Sequence, residues 1–562
     1  MKRPATRLSS SVRIRPIPWK SSRFLLWFAT LALLSTYQLA GVRAAASPAP
    51  HKGGTLIYAE NFGSFDSFIP VVSPAEIVDD EAQVLLFRPL LWIDQKVSID
   101  YSRSIATSID VSADHTTYTV NMRGDYKWSD GSPVTADDVK FCFTMMKQYG
   151  AKYAYYGIGG LPNLVKSFTI TSPTSFTIVM SKPFNPTYFE LNGLAQLRPV
   201  PSKFWKGYDA SYLAKHQVDP ATLSVVDGPF KLAKFVSGQY ARFERNTMYS
   251  GHQSYLDTYI VQFYSSDQAL FAAIKTGAVQ IGVSPYSLYH SWGQLKDLGT
   301  YTYSIFGFSY ITLNYRNPAI SFIKDVKVRQ AMQLAINQPQ MNQALYYGHA
   351  HSAYSPVPYA PTTYLSSEAK SSMSASHYDL AKAGALLDSA GWTMSGGVRV
   401  KGKQTLSFTL EIFSGNDTAL RQAEIIQQDF AKIGIQISLK QVTFQTGIAQ
   451  LGAKGTNWDA MGIGWIYYPN FYPLGDGLFG TTGGANFGGF SDPKLDAAIT
   501  EAQTKPGYAG IYDYQNYAAK VVPALFLNYG ETVVRYQPKV QGISDFFNPI
   551  YGFSPEYLWL KQ

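Results

Sequence analysis

YTVNMRGDYKWSDGSPVTADDVKF, residues 118–141, is the stretch on which the fold of this chain turns. Its first half alternates: Tyr118, Val120 and Met122 point one way and Thr119, Asn121 and Arg123 the other, the period of a half-buried strand. Ser129-Asp130-Gly131-Ser132-Pro133 breaks that pattern with turn formers. Thr135 then offers a helix N-cap, with Asp138 in the capping-box slot and Asp137 also near the positive helix end. Val139, Cys142, Phe143 and Met146 space one apolar helical face, and Gly150 supplies a stop.

Outward from this unit, a length of 562 residues exceeds what one core supports, so two or more lobes are expected. Hydrophobic residues make up 46% and charged residues 15%, which describes a globular chain short of charge. Aromatics also reach 15%, with 40 Tyr, and this suits either well-packed strands or a cleft lined with rings.

The N-terminus reads as an export leader. Lys2, Arg3, Arg7, Arg13, Arg15, Lys20 and Arg23 form a basic region, residues 24–41 are an apolar run, and Val42-Arg43-Ala44 places small residues where a signal peptidase cuts. Ser35, Thr36 and Gln38 argue against a membrane-spanning anchor. Residues 1–44 carry eight Lys/Arg and no acid, so removing them takes the formal net charge from +9 to +1. The basic excess thus belongs to the leader, and no nucleic-acid partner is expected. The sole cysteine, Cys142, excludes an intramolecular disulfide and reads as a core residue. No cysteine stands at the cleavage site to carry a lipid, so a soluble periplasmic location is expected.

The wording of residues 123–141, RGDYKWSDGSPVTADDVKF, closely resembles the signature of the extracellular solute-binding proteins of the peptide/nickel family, family 5, which serve ATP-binding-cassette importers. Gly53-Gly54-Thr55-Leu56 resembles the family's first strand. Gly228-Pro229-Phe230-Lys231-Leu232 with Phe243-Glu244-Arg245-Asn246 resembles its second signature, and residues 269–281 give a third match, with Gln280 where an acid is usual. The resemblance spans residues 53–560 and implies an α/β, periplasmic-binding-protein-like clamshell. That fold has two large lobes with mixed sheets and a smaller subdomain in the first lobe. The implied division is 1–44 signal peptide, 45–88 lobe I, 89–199 lobe I subdomain, 200–312 lobe I again, 313–529 lobe II and 530–562 the return to lobe I.

Residue patterns agree with repeated β–α–β units. Asp325 caps a helical pattern over 326–337, Asp379 caps 380–390, and residues 420–433 form an amphipathic helix ended by Gly434 before an alternating strand at 435–439. Catalytic arrangements are missing: there is no G-x-S-x-G, no H-E-x-x-H and no phosphate loop, so no enzyme is expected. His349 and His351 could share a face on an extended segment, but GHAHSAYSPVP reads as a solvated loop. No metal and no cofactor are expected.

The informative stretch is DAMGIGWIYYPNF, residues 459–471. In peptide-binding members of the family a Gly-Trp pair is followed within a few residues by an Asp that pairs with the ligand's α-ammonium. Gly464 and Trp465 match, but Tyr468 stands three residues after the Trp, and the next acid is Asp476. A buried ammonium without a carboxylate is costly, so Tyr467, Tyr468 and Asn470 suggest a neutral, hydroxyl-rich or capped ligand held by stacking and hydrogen bonds. Alternatively these rings pack in the hinge and another acid takes the role. The resemblance also puts Asn486 and Phe487 near the ligand, and Phe65 and Asp66 on the cleft rim. The expected ligand-binding set is therefore Trp465, Tyr467, Tyr468, Asn470, Asn486, Phe487, Phe65 and Asp66.

The function implied is the periplasmic solute-binding component of an ABC importer. It would capture a peptide, peptide-like or neutral hydroxylated solute between two lobes and deliver it to permease subunits in the inner membrane, as a monomer. The alternatives are a non-peptide ligand (an oligosaccharide, an opine-like conjugate or a nickel complex) or a chemosensory receptor partner.

Overall fold

The computed structural model describes residues 49–561 apart from 61, 62, 71, 73–76, 154, 374–376, 549 and 551. The expected leader and its cleavage site lie outside the described residues. Everything below belongs to the compact unit Pro50–Gln562.

The opening stretch folds as its pattern requires. Strand Thr117–Met122 buries Tyr118, Val120 and Met122, and helix Ala136–Tyr149 buries Val139, Cys142, Phe143 and Met146. Asp138 explains why turn and helix come as one unit. Its Oδ2 accepts from the Thr135 backbone N–H at 2.8 Å, the Thr135 hydroxyl at 3.2 Å and the Trp128 indole at 3.2 Å. Its Oδ1 accepts from the backbone and hydroxyl of Ser202 at 3.0 and 2.6 Å. One buried carboxylate therefore ties strand exit, helix cap and a segment 64 residues away. Cys142 is buried, and burial pushes its thiol up to about 11, as befits a core residue.

The expected α/β architecture with mixed sheets and a smaller subdomain is observed. The subdomain is an antiparallel sheet in the order Ala106–Val111, Thr117–Met122, Ser175–Met180, Val165–Ser172. The large sheet has two parts. In the first, Thr55–Glu60 runs parallel to Thr258–Phe263 and Ile281–Val283, flanked by the hairpin Phe230–Val236 and Tyr240–Arg245. In the second, Ser407–Phe413 runs parallel to Gln436–Val442 and Ala460–Ile466, and Gly307–Leu313 runs antiparallel to Ala460–Ile466.

One strand, Leu525–Tyr536, joins the parts. Its start pairs with Gly307–Leu313 and its end with Gly299–Ser304 and Ile281–Val283. The chain likewise passes from Gly299–Ser304 to Gly307–Leu313 through Ile305 and Phe306 alone. Two antiparallel crossings with so short a link are the geometry of a hinge between lobes. The change of sheet at Ile305 and Phe306 falls within the segment 200–312 expected for lobe I.

Ala350–Ser352 corrects the loop reading of GHAHSAYSPVP. It is a short strand paired with Leu525–Tyr536, because that long strand offers a backbone edge which local sequence cannot announce. His349 Nδ1 and His351 Nε2 lie 3.2 and 3.4 Å from the two carboxylate oxygens of Glu531, and the His351 ring stacks on Tyr359 at 4.0 Å. The pair is thus engaged within the protein. Among the described residues no group of three or more His, Cys, Asp or Glu could hold a metal ion.

Candidate functional site

Strand Ala460–Ile466 carries the candidate site. It lies between Gly307–Leu313 and Ser407–Phe413, buries Ala460 and Met461 at its start, and grows more open toward Trp465. Gly307 is required opposite Trp465, since a Cβ there would sit 1.9 Å from the Trp465 carbonyl. Trp465 is half-buried, and its Nε1 is shut off from solvent with no hydrogen-bond partner.

The chain then turns through Tyr467, Tyr468, Pro469 and Asn470, all of them buried. The Tyr467 ring lies among Phe306 and Phe308 and its hydroxyl donates to the Pro356 carbonyl at 2.9 Å. Asn470 donates its backbone N–H to Tyr467 O at 2.6 Å, while its buried Oδ1 has no partner.

Tyr468 reaches across to the other half of the molecule. Its hydroxyl accepts from Arg198 Nη2 at 3.0 Å, and the same guanidinium lies 3.2 Å from Asp80 Oδ1 and donates to Gln83 Oε1 at 3.2 Å. The Tyr155 hydroxyl donates to Asp80 Oδ2 at 3.1 Å, with the Tyr468 carbonyl at 3.3 Å. Burial, only partly offset by Arg198, pushes the Asp80 carboxyl up to about 6.

Three further bridges run between the same halves. Asn192 and Tyr472 exchange side-chain-to-backbone bonds at 2.9 and 2.7 Å. Asn185 Nδ2 donates to Gly507 O at 2.9 Å. Tyr188 donates its hydroxyl to Asp476 Oδ2 at 2.6 Å, where Gln503 Nε2 also donates at 3.0 Å. Asp476, the first acid after Trp465, is therefore buried, holds two donors already, and is pushed toward its protonated form by burial. Its neighbour Gly475 has φ +67°, and a Cβ there would meet the Tyr514 hydroxyl at 2.3 Å.

The other expected site residues are taken up by their own surroundings. The Asn486 side chain is consumed by its own turn: Nδ2 donates to Gly480 O and Phe490 O, and Oδ1 accepts from Gly489 and Phe490 N–H. Phe487 packs with Val442, Leu451, Trp458 and Met461, at the far end of the Trp465 strand. Phe65 is buried among Phe68, Phe243 and Phe263. Asp66 is exposed, and its backbone N–H donates to Asp79 Oδ1 at 2.8 Å, which places it next to Asp80. Sequence reasoning missed Asp80, Tyr155, Tyr188, Asn192 and Arg198. Arg198 and Asp80 are 118 residues apart, and no local period links them.

The family profile described as "Bacterial extracellular solute-binding proteins, family 5 Middle" matches residues 100–486, which covers the subdomain, the crossing at Ile305 and Phe306 and the Trp465 loop. The chain belongs to the family 5 solute-binding proteins. Among its family relatives, the oligopeptide-binding protein AppA of Bacillus subtilis is 25% identical over 431 residues, 76% of each chain. The dipeptide-binding protein of Escherichia coli is 26% identical over 434 residues, 73% of this chain and 76% of the relative. Solved family 5 structures share the fold. The Bacillus subtilis AppA complex with a nonapeptide has a TM-score of 0.75 at 21% identity, covering 92% of this chain and 100% of that one. NikZ from Campylobacter jejuni in complex with Ni(L-His) has a TM-score of 0.74 at 23% identity, covering 87% and 95%. The family is one of binding proteins rather than enzymes. Among the described residues no helix is long and apolar enough to cross a membrane.

Proposed function

We propose that this family 5 protein is the periplasmic capture component of an ABC importer. It takes a peptide-like or hydroxylated solute without a free ammonium between the two halves and delivers it to the permease. The leader expected at residues 1–44 supplies export.

The observation that carries the ligand class is the state of the Trp465 loop. Where peptide-binding members are expected to hold an ammonium-binding Asp, Tyr468 stands with its hydroxyl held by Arg198, whose charge Asp80 offsets. The next acid, Asp476, is occupied by Tyr188 and Gln503. On the same loop, Trp465 Nε1 is a donor and Asn470 Oδ1 an acceptor, both unpartnered and shut off from solvent. Leaving such atoms unpaired is costly, and amide or hydroxyl groups of a solute would pair with them without adding charge. Other family members include peptide binders, so peptides with blocked or absent α-ammonium groups belong in the class.

Titration with matched free and N-acetylated peptides and with an oligosaccharide panel, followed by Trp fluorescence, tests this. Acetylated or hydroxylated solutes are expected to bind at least as tightly as free peptides. Micromolar binding of free peptides that acetylation abolishes would show that another acid anchors an ammonium.

A further inference from the structure

We propose that the groove between helix Ala136–Tyr149 and strand Val165–Ser172 docks an extended, acidic segment of a partner protein. The cavity there measures about 480 Å³. Its helical side presents Lys140, Phe143 and Lys147, which fall on one face at i, i+3 and i+7. Its strand side contributes four consecutive residues, 165–168. The ladder is irregular between Val165 and Ser167, and such a bulge on an edge strand lets successive residues face the groove.

That edge is open. Among the described residues Val165–Ser172 ends its sheet and pairs only with Ser175–Met180, which leaves one row of backbone N–H and C=O groups outside the ladder. An extended backbone is the occupant that such an edge recognises. Phe143 and Phe168, ring centroids 5.3 Å apart, give the groove an apolar floor for one side chain of that segment.

Charge selects the partner. Lys140, Lys147 and Lys166 are exposed around the groove, and among the described residues no acid lines it. A second copy of this chain would bring its own Lys166 against the first, so edge-to-edge pairing with itself is repelled. An acidic strand is complementary to all three lysines. A lipid headgroup or free phosphate would use the lysines but leave the strand edge unpaired. The groove shares no residue with the Trp465 loop, so docking here is compatible with a filled cleft.

The test uses the full chain and a fluorescein-labelled, N-acetylated heptapeptide of alternating Asp or Glu and Val. Three comparisons accompany it: the peptide with Lys for each acid, the peptide N-methylated along one edge, and phosphatidylglycerol vesicles. The acidic peptide should bind. The triple variant K140E/K147E/K166E should weaken it by roughly tenfold or more, as should N-methylation. All three lysines are exposed, so circular dichroism should not change. Trp465→Ala should leave this binding intact; its loss in that variant would put the peptide in the cleft and overturn the proposal. So would indifference to charge reversal or to N-methylation, or vesicle binding without peptide binding.

Discussion

Replacing Arg198 by Met tests whether a buried ion pair holds the Tyr468 loop against the first half of the chain. Arg198 is 2% exposed, 3.2 Å from Asp80 and 3.0 Å from the Tyr468 hydroxyl. Methionine keeps much of the apolar stem and removes the charge. Near pH 8 the ionised Asp80 would be left with the Tyr155 hydroxyl, and orphaning a buried charge costs about 3–5 kcal/mol.

The pH dependence makes the test specific. Burial raises the Asp80 carboxyl from 3.8 to about 6 in the folded protein, so its contribution is fully present below about pH 4 and is lost as pH rises through about 6. Without Arg198 the folded carboxyl rises further, and that loss extends to higher pH. The deficit of the variant should therefore shrink as pH falls from about 8 to about 6, by up to ~1.4 kcal/mol per unit, and then level off. Adding Asp80→Asn should recover a large part of the loss, because no unpaired charge then remains. Urea unfolding followed by Trp fluorescence at several pH values measures all three proteins. A deficit below about 1 kcal/mol, one independent of pH, or a double variant no better than the single one would refute the argument.

Trp465→Ala should weaken solute binding by about 1–3 kcal/mol if its ring packs on the solute, beyond any loss of stability from its packing against the core. Equal affinities in a fluorescence or calorimetric titration would remove it from the site. Gly475→Ala should destabilise by ~2 kcal/mol or more, since the position combines φ +67° with a Cβ 2.3 Å from the Tyr514 hydroxyl; an unchanged urea midpoint would contradict that geometry. Cys142 should resist a thiol reagent at pH 8 in the folded protein and react fully in urea, because burial holds the thiol up at about 11. Rapid labelling of the native protein would show that its helix opens readily.

Local rules carried far in this chain. Asp325 and Asp379 do cap the helices Val326–Ala335 and Leu380–Ser389, accepting from the backbone of Lys327 and Lys382. Gly434 does stop a helix, with φ +77°, before strand Gln436–Val442. These features were legible because capping, glycine stops and burial periods act over three to seven residues, the range that a single stretch of sequence displays. Family membership was legible for a related reason: the signature is one continuous stretch, residues 123–141, whose turn and helix cap meet at Asp138.

The sequence by itself determined the α/β class and the solute-binding family, and it picked out the Trp465 loop, where Tyr468 stands three residues after the Trp. Only the tertiary structure decided what surrounds Tyr468. Tyr155 and Tyr468 are 313 residues apart and Arg198 and Tyr468 270, and the pairing of these residues with Asp80 follows from chain crossings that no local period encodes. The same holds for His349 and His351, which became partners of Glu531 only when strand Leu525–Tyr536 returned beside them. A buried polar group must find a partner wherever the fold brings one, and that search is settled in space rather than along the chain.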